Sequence, residues 1–456
     1  MQRSYPRMLF TGALVAGCLT ANAVYASGFA LIENSASGQG NAFAGAAAVA
    51  EDASTIFFNP AGMTRIHTRQ LVTAGHLIFP TADFDNKGSS QAALLGGGPL
   101  SGGDDDGGNF AIVPNLYYVH PWQHGLTFGV GINAPFGLKT EYDDDWVGRY
   151  HSVTSDVTTI NVNPSIAYRV NPALSVAAGI DIQYIDVNLT SAVDFGAICV
   201  ASLGPASCAA LGALPQQADG FADLNADNKG NLTWGFNFGL LYELGDSSRI
   251  GLAYRSEVEH DVKGDADFSV PSSASFVVAG GAFIDTDLKA SVTLPRSASL
   301  SAYHKLTGKL ALLADATWTE WSVFKELRIK FDNPNQPDAV TTEDWDNTWR
   351  FSLGAIYQLN NQWLLRGGLA YDQTPVPGSL RRTPRVPGND RKWVSVGLTY
   401  FYNSAFTIDV GYSHLFIPDT DIDNTLESSV PTLAATLNGT YEASVDILSA
   451  QLRWSF

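Results

Sequence analysis

The chain has 456 residues and a formal net charge of −18, and only 16% of its residues are charged. A soluble protein of this size usually carries about 25%, and nucleic-acid binding requires basic patches that so acidic a chain does not offer. Beyond its first residues no stretch approaches the roughly 18 apolar residues of a spanning helix, so a helical membrane protein is excluded too.

Residues 1–26 read as a secretory signal peptide. Arg3 and Arg7 precede an apolar stretch over 8–17, and Val24, Tyr25 and Ala26 offer a cleavage site before Ser27. Val15, Ala16, Gly17 and Cys18 also have the form of a lipoprotein processing site, which would leave Cys18 lipidated. The remaining cysteines, Cys199 and Cys208, are a pair in an exported chain, which favours a disulfide over a metal site.

Residues 27–66 show no strand alternation. Small-residue, helix-prone stretches at 40–45 and 46–53 lead to a break at Asn59, Pro60, Ala61 and Gly62. The segment is apolar, which predicts a plug inside a barrel lumen; a disordered periplasmic leader is the alternative.

From residue 67 to 456 the chain alternates. Leu232, Trp234, Phe236, Phe238, Leu240, Tyr242 and Leu244 form one apolar face opposite Thr233, Gly235, Asn237, Gly239 and Glu243, with Leu241 the one large apolar exception. Such alternation marks a strand with one oily and one polar face. It recurs from Trp349 to Leu359, from Val394 to Tyr402, from Phe406 to Tyr412, and from Leu448 to the terminal Phe456. Short turns at 121–125, 170–173, 245–248, 307–308, 360–361 and 403–404 alternate with long segments at 83–108, 143–155, 191–229, 263–285, 332–344, 374–390 and 418–439. Short periplasmic turns and long outer loops are the asymmetry of bacterial barrels. The pattern predicts an all-β membrane protein: an antiparallel transmembrane β-barrel of about 14 strands in the outer membrane, with the N-terminal segment as its plug.

Three sets of residues then look familiar. Ser27-Gly28-Phe29, the run from Ser35 to Gly40 (SASGQG) and Asn59-Pro60-Ala61 resemble the outer-membrane long-chain fatty acid transporter family (FadL type), which includes relatives that admit toluene. Asn133-Ala134-Pro135-Phe136-Gly137-Leu138 looks like that family's kinked third strand. The stretch Asn161 to Tyr168 and the run Asp390-Arg391-Lys392-Trp393 are also similar. The resemblance implies a monomeric barrel of 14 strands with passive uptake of hydrophobic molecules, no cofactor and no catalysis. It implies a ligand groove between two outer loops, a lumenal pocket, gating by an N-terminal hatch (Gly28, Phe29, Asn59, Pro60, Ala61), and sideways exit at Ala134, Pro135, Phe136 and Gly137.

Residue chemistry supports each part. One outer loop carries Phe195, Ile198, Leu203 and Leu211, and the next carries Phe268, Phe276, Val277 and Phe283; exposed apolar surface of that extent marks a binding site, unless the loops pack on each other. Pro135 cannot donate to a ladder and belongs at a bulge; Pro164 in the next strand is expected to widen the same defect. Strand parity turns Arg255, Arg350 and Arg366 to the lumen, where a fatty acid carboxylate would want a cation, although lumenal arginines also pair with carboxylates across a barrel.

Other readings are weaker. Ser413 and His414 are adjacent in one strand and point to opposite faces, so no hydrolase site forms there. A general diffusion porin would need an open lumen. The acidic runs Asp104–Asp106 and Asp143–Asp145 could hold divalent cations beside lipopolysaccharide, or simply be solvated. The leading expectation is fatty acid uptake, with aromatic hydrocarbons or alkanes as the alternative.

Overall fold

Along Thr233–Glu243 the large side chains Trp234, Phe236 and Phe238 are exposed, while Gly235, Asn237, Gly239 and Leu241 are covered. The same two-sided pattern organises the whole chain, described in this computed structural model over residues 28–228, 231–427 and 433–456. The signal peptide, with Cys18, lies outside those residues.

Fourteen antiparallel strands close into one barrel. They are β1 (Gln70–Asn86), β2 (Ala111–Pro121), β3 (Leu126–Asn133 continued by Gly137–Glu141), β4 (Thr154–Arg169) and β5 (Leu174–Asp194). Then come β6 (Asp219–Asp227 and Thr233–Glu243), β7 (Ser248–Arg255 and Val258–Ser269), β8 (Thr286–Leu294 and Ser297–Lys305) and β9 (Leu310–Thr319 and Glu326–Phe331). The ring ends with β10 (Ala339–Thr342 and Thr348–Gln358), β11 (Trp363–Asp372), β12 (Arg391–Phe401), β13 (Phe406–Phe416 and Thr420–Thr425) and β14 (Thr436–Ser455). Closure comes from β1 against β14, in register from Gln70↔Ser455 to Asn86↔Gly439. A closed ring leaves no sheet edge, which is what permits strands to cross lipid. Among the described residues no helix is long and apolar enough to cross a membrane.

All six short turns fall where the sequence placed them. The outer strands run further than expected: β5 extends to Asp194 and β6 begins at Asp219, so the loop between them is much shorter than 191–229. Above the bilayer neither strand face meets lipid, and the apolar alternation that reveals a strand in sequence is lost there.

Residues 28–66 fold into short helical turns, Ala36–Gln39, Ala46–Val49, Thr55–Phe58 and Pro60–Arg65. The turns touch strands on many sides of the ring. Arg249 of β7 donates to the Ala48 and Val49 carbonyls (2.9 and 3.0 Å), Gln39 donates to Ser413 of β13 (2.5 Å), and Arg453 of β14 donates to the Glu51 carbonyl (3.0 Å). Glycines on the inner wall make room: a Cβ at Gly251 would lie 1.9 Å from the Ala47 carbonyl oxygen, and one at Gly368 2.1 Å from that of Asn41. Leu241, the exception to alternation, packs on Ala48, Ala50 and Ala61. Its apolar side chain faces the segment rather than a water-filled lumen.

Candidate functional site

The third strand breaks where Pro135 removes a donor. Pairing of β2 with β3 stops at Leu116↔Ile132, and residues 134–136 belong to neither half of β3. Their backbone groups are met instead by the N-terminal segment. Leu31 N–H donates to the Pro135 carbonyl, and Gly137 N–H donates to the Phe29 carbonyl, both at 2.8 Å. On the other side the Thr159 hydroxyl donates to the Phe136 carbonyl (2.6 Å) and accepts from its N–H (3.0 Å). The β2 side is tied to the same segment, since Asn115 Nδ2 donates to the Glu33 carbonyl at 2.9 Å. Residues 29–34 thus bridge the stretch where the β2–β3 ladder is missing. Pro164 sits elsewhere: it still pairs with Val130 of β3, and its ladder gap faces β5, where Asn163 Nδ2 donates to the Ile180 carbonyl at 2.9 Å. It does not widen the opening at the kink.

Phe29 is buried in an aromatic cage, with ring centroids 4.9 Å from Trp321, 5.6 Å from Phe324, 5.8 Å from Trp345 and 6.0 Å from Phe136. Gly28 has a left-handed φ of 62°, and a Cβ there would lie 2.6 Å from the Trp321 ring. Trp321 and Trp345 reach inward because β9 and β10 are interrupted at 320–325 and 343–347. Asn59 is fully buried and works as a hub. Its Nδ2 donates to the Ala47 carbonyl (2.7 Å) and to the Leu240 carbonyl of β6 (3.0 Å), while Oδ1 accepts from Ala61 N–H (3.1 Å).

Between segment, kink and wall lies a cavity of about 160 Å³, lined by Leu31, Phe57, Phe58 and Pro60 of the segment and by Pro135 and Phe136 of the kink. Arg255, Arg350, Asp315 and Asp372 also line it. Arg255 is paired with Asp181 and donates to the Phe57 carbonyl at 3.0 Å. Arg350 donates to the Ala42 carbonyl (2.7 Å) and lies 5.1 Å over the Trp393 ring, and among the described residues its Nε and Nη1 meet no acceptor. It stands among the charges of Asp372, Asp315 and Glu33. Arg366 is lumenal but lies outside this lining, its Nη1 2.6 Å from Glu51.

The two apolar outer loops pack against each other. The first folds into helices Phe195–Leu203 and Pro205–Leu211, joined by the Cys199–Cys208 disulfide. Phe195 packs on Phe283 (4.9 Å), Phe283 on Phe268 (5.5 Å), and Ile198, Phe276 and Val277 join the same cluster. Leu203 and Leu211 stay exposed, at 45% and 49%. The loops pack on each other, and the apolar content that suggested a groove is mostly spent in that contact. The acidic runs have local work: Asp105 accepts from Asp143 N–H (2.6 Å), tying two outer loops together, and Asp106 accepts from Ala82 N–H of β1 (2.6 Å).

A second cavity of about 360 Å³ lies among the outer strand ends and loops, its lining including Leu189, Leu224, Leu327, Ile329, Leu426, Arg381 and Arg385. Sequence reasoning missed it because its walls come from seven separate stretches of the chain. The signal that could have found it is the run of arginines at 381, 382 and 385 in an otherwise acidic outer surface.

A closed fourteen-stranded barrel with an N-terminal segment packed against its inner wall defines a transport protein of the Gram-negative outer membrane. The chain belongs to the outer membrane protein transport protein family (OMPP1/FadL/TodX), whose model matches residues 17–456. It is 32% identical to outer membrane protein P1 of Haemophilus influenzae, over 96% of this chain and 97% of that protein. It is 33% identical to the long-chain fatty acid transport protein of Escherichia coli O6:H1, over 88% and 89%. Among solved structures, a FadL homologue of Pseudomonas aeruginosa superposes with a TM-score of 0.84 at 25% identity, covering 94% of this chain and 100% of that one. The Pseudomonas putida toluene transporter TodX shares the fold, with a TM-score of 0.69 at 17% identity over 94% and 100%.

Proposed function

We propose that the protein is a passive channel for hydrophobic molecules, with long-chain fatty acids as the leading substrate. The observation that carries this reading is the inner cavity, whose lining combines residues of the N-terminal segment with the kinked strand. A molecule held there touches at once the segment that covers the β2–β3 gap and the gap itself. Residues 28–66 act as a hatch: withdrawal of Phe29 and Leu31 frees the kink and opens a sideways path into the membrane. No step requires a cofactor or bond chemistry, and the barrel works as a monomer among lipid and lipopolysaccharide.

Aromatic hydrocarbons are a second reading, favoured by size and charge. The inner cavity of about 160 Å³ is close to the roughly 150 Å³ apolar cavity known to bind benzene, and its arginines stand among carboxylates. A long acyl chain fits only after the hatch moves. Uptake of labelled oleate and of toluene, by cells lacking their own transporter, separates the two. Oleate uptake lost in Asn59→Ala and Pro135→Ala supports hatch-gated lateral exit. Toluene uptake alone moves the substrate to hydrocarbons, and uptake of neither with free sugar permeation makes the protein a porin.

A further inference from the structure

A second stretch of wall lacks its ladder. The strands β8 and β9 pair from Ser297↔Thr319 to Lys305↔Ala311, and again from Leu288↔Phe331 to Ala290↔Ile329. Between these blocks residues 291–296 face residues 320–328, and at the lower end Glu320 N–H donates to the Arg296 carbonyl at 3.0 Å. Broken pairing is prohibitive deep in hydrocarbon, where no water serves the freed backbone groups. The gap avoids that depth. At its lower border the outward Trp318 and Trp349 stand directly opposite each other, as girdle aromatics do at a membrane surface. Above it Lys289, Ser291 and Lys330 are exposed. The gap therefore lies at the boundary of the outer leaflet.

Side chains close the gap from both faces. Outside, Arg296 Nη2 donates to Glu320 Oε1 at 2.7 Å, with Glu257 the next charge beside it. Inside, Val292 and Leu294 join Trp321, Phe324 and Trp345 in the cluster that holds Phe29. The two indoles are held differently. Trp345 donates to Glu343 at 2.8 Å, whereas the buried Trp321 N–H meets no acceptor among the described residues. Trp321 is kept by packing, so its ring turns without breaking a hydrogen bond.

The wall just below the gap carries a cavity on each face. Thr319, Trp321 and Thr348 line the inner cavity. On the lipid side a depression of about 730 Å³ lies over Ala298 and Ala316, bordered by Leu252, Trp318 and Trp349. Phe238, Ala253, Tyr254 and Ser299 line both spaces, which places them back to back across one thickness of sheet.

We propose that the β8–β9 gap is a second sideways opening, an entrance by which uncharged hydrophobic molecules pass from the outer leaflet into the inner cavity, with Trp321 as its inner door. The inference rests on the uptake reading above and adds a route that does not begin at the outer loops. The rim decides the class of molecule. Glu257 and Glu320 outnumber Arg296 there, so a carboxylate is repelled. A hydrocarbon meets no such penalty, and the inner cavity of about 160 Å³ suits a single aromatic ring.

Ala298→Phe combined with Ala316→Phe fills the lipid-side depression and keeps that face apolar, as the bilayer requires. In cells lacking their own transporter, this double variant should lose most of the parent's toluene uptake. It should keep the parent's oleate uptake, which shows that barrel, hatch and kink still work. Toluene uptake equal to the parent's overturns the entrance, and so does an equal loss of both compounds. A second measurement needs no transport. The full-length protein in nanodiscs is irradiated with trifluoromethyl phenyl diazirine, an uncharged aromatic photolabel dissolved in the lipid. Trp321 should be labelled in the parent and spared in the double variant, while the lipid-facing Val396 is labelled in both. Label on Trp321 in both proteins, or in neither, overturns the entrance. If cells take up neither compound while labelling of Trp321 still depends on the depression, the uptake reading fails and the opening stands. Uptake of both compounds that ignores the filled depression, with Trp321 unlabelled, is the reverse result.

Discussion

Asn59 joins two stretches of the hatch to the β6 backbone with one buried side chain, and no other residue type of its size offers both a donor pair and an acceptor. Asn59→Ala leaves buried carbonyls unmet, at about 1–3 kcal/mol for each unsatisfied group. The barrel itself does not depend on them. The expected outcome is a folded barrel whose residues 46–66 exchange amide hydrogens faster than in the parent; unchanged exchange there removes Asn59 from the gating argument. Glu33 acts on the same segment through charge. Burial pushes its carboxyl up to about 7 from an ordinary value of 4.5, with Asp372 adding to the rise and Arg350 and Arg391 opposing it. The folded state therefore keeps a proton that the unfolded chain loses between those two values. Stability from this group is complete below pH 4.5 and falls as pH rises toward 7, by on the order of 3 kcal/mol in full. After correction for intrinsic rates, residues 29–34 should exchange faster at about pH 8 than at about pH 6. Glu33→Gln should abolish the difference, and a variant that keeps it shows that Glu33 is not the titrating group.

The elements of this barrel divide into those the sequence makes plain and those it hides. Turns such as 360–361 and 403–404 are legible because asparagine side chains cap them: Asn360 Oδ1 accepts from the Gln362 and Trp363 N–H groups, and Asn403 does the same for Ala405 and Phe406. The lipid-facing strand halves are legible because hydrocarbon demands an oily face. Asp219–Asp227 is hidden, since it pairs with its neighbours above the bilayer and needs no oily face. The kink was readable from Pro135, but its closure was not, because the Phe29 and Leu31 backbone groups that satisfy it lie about a hundred residues away. The pairing of hatch and wall is a matter of bare backbone at Gly251 and Gly368. Gly251→Val and Gly368→Val should leave strand pairing intact, since Cβ atoms on a strand point away from the ladder, yet push the hatch off the wall. Limited proteolysis should then cut within residues 36–50 of the folded variants. Resistance equal to the parent would mean the hatch can shift without loosening.

At the scale of the whole molecule, closure and plugging are separate tasks. The ring is completed by β1 and β14 along seventeen register pairs, from Gln70↔Ser455 to Asn86↔Gly439, none of which involves the hatch. What the hatch supplies is occupancy of the lumen, through side chains such as Ile56 and Met63 packed on Val72, Tyr117 and Val119 of β1 and β2. Deleting residues 29–66 removes that apolar filling and exposes lumenal groups such as Gln451, Ser413 and Arg249, which water can satisfy. The shortened protein should therefore fold as a barrel and conduct ions across a planar bilayer in large, steady steps. The intact protein should conduct little, since its lumen is filled. Equal conductance from the two would mean that the hatch blocks nothing, and that the protein works as a diffusion pore. A silent intact protein with an open deletion variant assigns the seal to residues 29–66, and forces any hydrophobic cargo either past a moving hatch or out through the gap beside Pro135.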